Sequence, residues 1–489
     1  MTFAVLLIYG FIIILEMILN DMSAIRTSFI LTIKITKMKY YLYLIILSLL
    51  VTSCKSTKKL VRTDEAKELE TANQAETLSD LVLGSEVFNK IFTGFVLFDP
   101  VEQKTLFEKY PDHYFTPASN VKILTLYTAL EVLGDSIPAL KYYVSNDSLF
   151  FWGTGDPSLL NSKIDGNTRS VIDFLKNRKE KLFYVPQYLS GKFGSGWAWD
   201  DYKYAFSTQK HAMPVYGNLI KLVKRKGQRP ITIPSYFEQF LQKSSFSYDG
   251  GNRNEQDNGI IYSYSSLSQS SYSKSIPMHM TNAVVLNILK VETGKTIQLH
   301  QNNLKFFKPR AKTIYSVPTD EVLKKMMLPS DNFLAEQLLY VCASALGLRF
   351  RTSSMIDHAK KNIFKNMPSQ LTWRDGSGLS RYNLLTPRSM VTILDKMYQE
   401  YDIERILTLF PTGGKSGTLR NWYKGNPPYI FAKTGTMSNK HCLSGYIKTK
   451  EGKTLIFSFM HNNYIGSSSQ VKREMEKVFK FIRDGGDLQ

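Results

Sequence analysis

Ser119 and Lys122 stand three residues apart at the head of the apolar run from Phe115 to Tyr127. Pro117 precedes them, and Ile123, Leu124, Leu126 and Tyr127 follow with no further charge before Glu131. That is the pattern of a buried helix with proline tolerated at its entry. Positions i and i+3 of a helix share a face, so the hydroxyl and the amine would be neighbours. A serine is a poor nucleophile unless a base stands beside it, and a lysine can be that base where burial or a second cation holds it neutral. The spacing alone decides little, because Ser56/Lys59, Ser207/Lys210, Ser271/Lys274 and Ser469/Lys472 share it. What separates Ser119 is its apolar helix and two further motifs downstream.

The first of these is Ser330-Asp331-Asn332, which follows Pro329 at the head of an apolar segment, where a serine could equally serve as a helix cap. The second is Lys433-Thr434-Gly435, inside an apolar strand whose alternate side chains share one face in fixed register. Lys415-Ser416-Gly417 has the same form, but it lies among Gly413, Gly414 and Asn421 and reads as a loop.

Taken in order, S-x-x-K, S-D-N and K-T-G resemble the signature of penicillin-binding proteins and class A β-lactamases. The stretch from Asp375 to Asn383, followed by Leu385-Thr386-Pro387, narrows the resemblance to the low-molecular-mass class C penicillin-binding proteins. These are the D-alanyl-D-alanine carboxypeptidase/endopeptidases of peptidase family S13. Gly153 to Leu159, Gly196 to Asp201 and the long gap between the first two motifs are similar to the same family. A class A β-lactamase fits poorly, since its acidic E-x-x-x-N loop is not found after Ser330 and its chain is much shorter.

The resemblance implies a mechanism. Ser119 would attack the carbonyl between two D-amino acids, with Lys122 taking the serine proton and Lys433 disfavouring a second positive charge. Ser330 would relay a proton to the leaving amine, and Asn332 would hold the substrate amide. Lys433 and Thr434 would receive the terminal carboxylate, and Gly435 would let the substrate backbone lie close to the strand. Backbone N–H groups of Ser119 and Thr436 would hold the oxyanion. Asp156 and Arg381 would flank the far end of the peptide stem, where an acid and a base suit the side chain of diaminopimelate. Asp156 also reads as a turn residue before Pro157, and Arg381 as a structural ion-pair partner. Peptidoglycan peptides are the implied substrate and β-lactams the implied acylating inhibitors, with no cofactor. A β-lactam hydrolase and a non-catalytic wall-binding lipoprotein are the competing readings; the intact Ser119, Lys122, Ser330, Asn332 and Lys433 argue against the second.

The elements that must position these residues read as an α/β (α+β) fold, a β-lactamase/transpeptidase-like antiparallel sheet flanked by helices and split by an insertion. Strands are expected at Gly94 to Asp99, around Lys104 to Phe107, over 141–154, and at 428–435, 443–449 and 454–460. Helices are expected at about 280–291, at Thr319 to Leu328, at Asp331 to Leu346, from Thr386 to about Tyr398, and over about 469–483. Residues 81–157 and 313–489 would form the catalytic unit, and 158–312 a mostly β insertion with a Ser/Tyr/Asn-rich exposed stretch from 246 to 275.

At 489 residues the chain is long enough for two or three cores, and 43% hydrophobic and 21% charged residues describe an ordinary globular protein. The net charge of +20 is high. Residues 1–53 would be a signal or membrane segment. Met38-Lys39, the apolar run Tyr40 to Val51 and Thr52-Ser53-Cys54 resemble a secretory signal ending in a bacterial lipobox, with Met38 the true start and Cys54 lipidated. The rival is a membrane helix over residues 3–19. Cleavage before Cys54 removes four cations (Arg26, Lys34, Lys37, Lys39) and two anions (Glu16, Asp21), leaving +18. Outside the cytoplasm, nucleic acid is not an expected partner, whereas anionic lipids and wall polymers are. Residues 54–80 would be a polar tether. Besides Cys54 there are only Cys342 and Cys442, too few for a disulfide framework, and no metal-ligand spacing occurs.

Overall fold

The computed structural model describes residues 77–489 apart from Ser190, Gly227, 245–251, 264–270, 302–306 and Gln489. The lipobox-like Cys54 and the segments expected over residues 1–53 lie outside the described residues. The tether expected to reach residue 80 ends sooner. Thr77 caps the helix Leu78–Leu83 through a reciprocal pair with Asp80, and Leu78 and Val82 are buried. The apolar pair one turn apart was masked by the polar composition around it, and it packs with Val471, Met475 and Phe479 of the C-terminal helix Ser468–Arg483.

One sheet carries the site. Its five antiparallel strands run in the order Ile430–Met437, Lys440–Lys448, Thr454–Asn462, Phe92–Asp99 and Lys104–Lys109. Both faces of its middle strands are apolar and buried, which is why Thr454–Asn462 reads as a nearly continuous apolar run rather than an alternation. One face packs on Leu78, Phe88 and the C-terminal helix. The other faces the helices Lys122–Val132, Asn332–Ala345 and Pro387–Glu400, whose Ile123, Leu126, Leu334, Leu338, Met390 and Leu394 share a single core. Burying each such side chain contributes about 1.5–3 kcal/mol.

A second, mixed five-stranded sheet has the order Ile297–Leu299, Lys181–Tyr184, Ser148–Gly153, Ser136–Ser145 and Lys312–Pro318. It combines strands of the expected catalytic unit and the expected insertion, which join where Ser148–Gly153 pairs with Lys181–Tyr184. Two three-stranded sheets, built from segments between Leu219 and Pro277, complete the inserted region. The expected helices are present at Asn282–Thr293, Thr319–Met327, Asn332–Ala345, Pro387–Glu400 and Ser468–Arg483. Helices at Ser170–Lys176, Thr352–Asn362 and Ile403–Leu409 were not anticipated. Cys342 and Cys442 are buried free thiols.

Candidate active site

Ser119 lies not in an α-helix but in the tight 3-10 turn Ala118–Val121, and Lys122 opens the α-helix that continues it. The tighter winding stacks positions i and i+3 more directly than an α-helix does, and Lys122 Nζ lies 3.1 Å from Ser119 Oγ. The preceding Ala118 has φ 47°, a left-handed conformation that costs energy for a residue with a Cβ. Lys122 is fully buried. Its Nζ also lies 2.7 Å from Asn332 Oδ1 and 2.7 Å from the Ser377 carbonyl oxygen. Burial pulls the amine down to about 8, against the opposing pull of Asp375, Asp331 and Glu336.

The second motif meets both lysines. Asp331, not Ser330, caps the helix Asn332–Ala345, its carboxylate accepting from the Leu334 N–H. Ser330 is therefore released from the capping role and, with φ 63°, turns its hydroxyl toward the strand Ile430–Met437. There Lys433 Nζ donates to Ser330 Oγ at 2.8 Å and to the Thr434 carbonyl at 2.7 Å. Lys433 is fully buried, and burial followed by the Lys122 charge holds it well below the ordinary lysine range. Asn332 is engaged at both ends: its oxygen accepts from Lys122, and its Nδ2 donates to the Phe206 carbonyl at 3.0 Å. One N–H of that amide remains for a ligand.

Gly435 has a different neighbour from the one expected. A Cβ there would stand 2.2 Å from the Pro117 carbonyl oxygen and 2.9 Å from the Asn120 nitrogen. The bare backbone lets the strand meet the nucleophile turn, not a substrate. Asn120 Nδ2 seals the same junction by donating to the Lys433 carbonyl at 2.8 Å. Thr434 is half-buried, and its hydroxyl meets Thr418 at 2.8 Å, so the loop holding Lys415-Ser416-Gly417 packs beside the motif it imitates. Thr436 is exposed, and its hydroxyl lies 2.9 Å from His441 Nδ1.

Asp156 and Arg381 have different settings, one buried and one exposed. Asp156 is buried, accepting from the Ser158 N–H and hydroxyl at 2.8 Å each, the arrangement of a turn. Burial raises its carboxyl to about 6. Arg381 is exposed, its backbone N–H reaches the Gly196 carbonyl at 3.4 Å, and its charge bears on Asp201.

A family model for D-Ala-D-Ala carboxypeptidase 3 (S13) matches residues 74–265 and 289–483, most of the chain and all three motifs. The chain belongs to the S13 family. It is 23% identical over 418 residues to the D-alanyl-D-alanine carboxypeptidase DacB of Haemophilus influenzae, covering 76% of this chain and 85% of that protein. It is 24% identical over 445 residues to the D-alanyl-D-alanine carboxypeptidase of Actinomadura sp. (strain R39), covering 79% and 80%. The crystal structure of penicillin binding protein 4 (dacB) from Haemophilus influenzae superposes with a TM-score of 0.66 at 20% identity, over 84% of this chain and 100% of that one. The α+β architecture with its antiparallel sheet is thereby shared.

In this S13 chain the loop Asp375 to Asn383 does more than mark the family. The buried Asp375 carboxylate accepts from Gly378 and Ser380 N–H groups, from Asn383 Nδ2, and from Trp197 Nε1 at 2.8 Å. Gly378, with φ 82°, passes so close to the nucleophile turn that a Cβ would stand 2.0 Å from the Ala118 carbonyl. Sequence reasoning missed Ser377, which acts through its backbone oxygen and so has no side-chain signature. It also missed Glu336, although a signal was present: an acid four residues after Asn332 on an apolar helix, hence on the same face.

Proposed function

We propose that this S13 protein is a serine-type D-alanyl-D-alanine carboxypeptidase that also cleaves D,D-cross-links in peptidoglycan, with Ser119 as nucleophile. The observation that carries the reading is the environment of Lys122. A neutral amine has two N–H bonds and one lone pair. The Asn332 and Ser377 oxygens, each at 2.7 Å, accept both hydrogens and leave the lone pair facing Ser119 Oγ. Lys122 takes the serine proton as Oγ attacks the carbonyl carbon of the D,D-peptide bond, giving a tetrahedral oxyanion held by the Ser119 and Thr436 N–H groups.

Collapse of that intermediate breaks the C–N bond. The leaving amine takes a proton from Ser330, which Lys433 in its ammonium form resupplies at 2.8 Å. The proton that Lys122 took from Ser119 then restores that ammonium, leaving Lys122 neutral again. The substrate's terminal carboxylate docks at Lys433 and Thr434, and its negative charge draws Lys433 back toward the ammonium form. The free N–H of Asn332 holds the substrate amide. Water then hydrolyses the acyl-enzyme, and Lys122 again serves as base. β-Lactams enter as acyl donors to the same serine. Arg381 recognises the distal side chain of the stem.

The same reading puts the enzyme in the cell envelope, anchored by a lipid on Cys54. Labelled fatty acid incorporated into wild type but not Cys54→Ser supports the anchor, and a mature chain retaining residues 1–37 overturns it. For the activity, a monomeric pentapeptide is expected to lose its terminal D-alanine and a purified cross-linked dimer to fall to monomers. Ser119→Ala is expected to do neither and to lose its labelled-penicillin adduct. An adduct mapping to Ser207 or Ser271 overturns the nucleophile, and fast penicillin hydrolysis without peptide cleavage overturns the peptidase reading.

A further inference from the structure

Beneath Lys122 lies a second layer of charge that the mechanism above does not use. Glu336 is fully buried, one helical turn beyond Asn332 on the helix Asn332–Ala345. Its Oε1 accepts the Ser377 N–H at 2.8 Å. Its Oε2 has no hydrogen-bond partner and lies 3.7 Å from Lys210 Nζ, itself almost wholly buried. Lys210 comes from the inserted region, donates to Thr352 Oγ1 at 3.2 Å, and lies over the rings of Trp197 and Tyr340. A carboxylate is costly in such a place unless a cation accompanies it. Burial pushes the Glu336 carboxyl up, and Lys210 is the cation that opposes this and favours the carboxylate.

The Ser377 main chain joins this layer to the reaction. Its N–H, in the peptide plane before Cα, is held by Glu336, and its carbonyl, in the plane after it, accepts from Lys122 at 2.7 Å. The Ser377 hydroxyl meets Asp375 at 3.3 Å, and Asp375 in turn accepts from Trp197 of the inserted region. A displacement of the Ser377 backbone would withdraw one of the two acceptors that aim the Lys122 lone pair. We propose that Glu336, paired with Lys210, is a positioning residue that fixes the Ser377 carbonyl against Lys122 and sets the charge the base experiences.

This inference rests on the reading of Lys122 as base. The charged groups bearing on Lys122 are Asp375, Asp331 and Glu336, with Lys433 on the facing strand. Burial raises the Glu336 carboxyl, Lys210 opposes this and Asp375 adds to it, and the Tyr340 hydroxyl feels Glu336 in turn. Removing the Glu336 charge takes away an anion that favours the Lys122 ammonium and leaves Lys210 unpaired. Both changes favour the free amine.

The test is the rate of acylation of the full-length protein by a fluorescent penicillin, followed from acid to alkaline pH. Glu336→Gln keeps an oxygen for the Ser377 N–H, so its high-pH rate is expected to stay close to wild type. Its acid limb is expected to move to lower pH by about half a unit or more. Glu336→Ala, which leaves the peptide unheld, is expected to lose acylation about tenfold or more at every pH. A Glu336→Gln profile superimposable on wild type overturns the proposal, even if Glu336→Ala fails to fold. So does a folded Glu336→Ala protein that acylates normally. Acylation by Lys122→Arg at the wild-type rate would instead overturn the base assignment beneath it.

Discussion

Lys122 Nζ and Asn332 Oδ1 lie 2.7 Å apart, so the first two motifs, 210 residues apart in the chain, meet through one hydrogen bond. That bond and its twin to Ser377 leave the amine a single direction in which to act as base. Burial depresses Lys122 to about 8, so the free amine becomes the main form as pH rises through that value. Acylation by penicillin is expected to climb about tenfold per pH unit on the acid side and level off above the midpoint. Lys122→Arg is expected to lose about 100-fold or more, because a guanidinium stays protonated. Stopped-flow acylation across pH measures both, and a flat profile between pH 6 and 9 contradicts the assignment.

Gly435→Ala tests the junction between strand and nucleophile turn. The added Cβ would stand 2.2 Å from the Pro117 carbonyl oxygen, a backbone atom that no rotamer change can move aside. A cost of about 1–3 kcal/mol is expected, with a lower Tm and slower acylation at saturating penicillin. A variant with normal acylation and only weaker peptide binding would return Gly435 to the role of clearing space for substrate.

Asp156 carries a pH signature separate from turnover. Its folded carboxyl is raised to about 6 from an ordinary 3.8. Its stabilising contribution is thus complete below the unfolded value and lost as pH rises through about 6. Asp156→Asn is expected to flatten the decline in Tm between pH 4 and 7. Its effect on turnover is expected to be the same for short and for diaminopimelate-containing peptides. A selective rise in KM for the diaminopimelate peptide would restore Asp156 as a recognition group.

Arg381→Ala is expected to weaken turnover of diaminopimelate stems more than that of a short acyl-D-alanyl-D-alanine. A loss confined to KM identifies uniform binding, and a loss in kcat identifies positioning in the transition state. Equal losses on both substrates would make Arg381 structural, in keeping with its backbone bond to Gly196.

The chemistry was legible where residue type and local setting agree. Ser119 and Lys122 announce themselves by spacing and an apolar run, and Lys433 by its strand. The five longer helices expected from about residue 280 onward show their apolar period plainly. What the sequence concealed depends on contacts distant in the chain or on backbone atoms. The carbonyl of Ser377 has no letter of its own. Leu78 and Val82 look like part of a polar tether until the C-terminal helix is laid over them. Asp156 as a stem-binding acid and as a turn residue share one sequence, and only its bonds to Ser158 mark the turn. The second sheet crosses the expected boundary at 157 because Ser148–Gly153 pairs with Lys181–Tyr184, which composition cannot reveal.

The strand Phe92–Asp99 is hydrogen-bonded to Thr454–Asn462, so one of the earliest strands is completed by the last. Its consequence is one of timing. While synthesis is under way, the strand leading to Ser119 has no partner on that edge, and the turn that holds Ser119 lacks the Lys433 carbonyl that anchors Asn120. Pairing between such remote segments is slow and comes late. A product cut short before residue 430 keeps its serine and first lysine yet has no third motif to bring beside them. Activity is thus withheld from any copy that stops short of the third motif, a safeguard written into strand order rather than into any inhibitor.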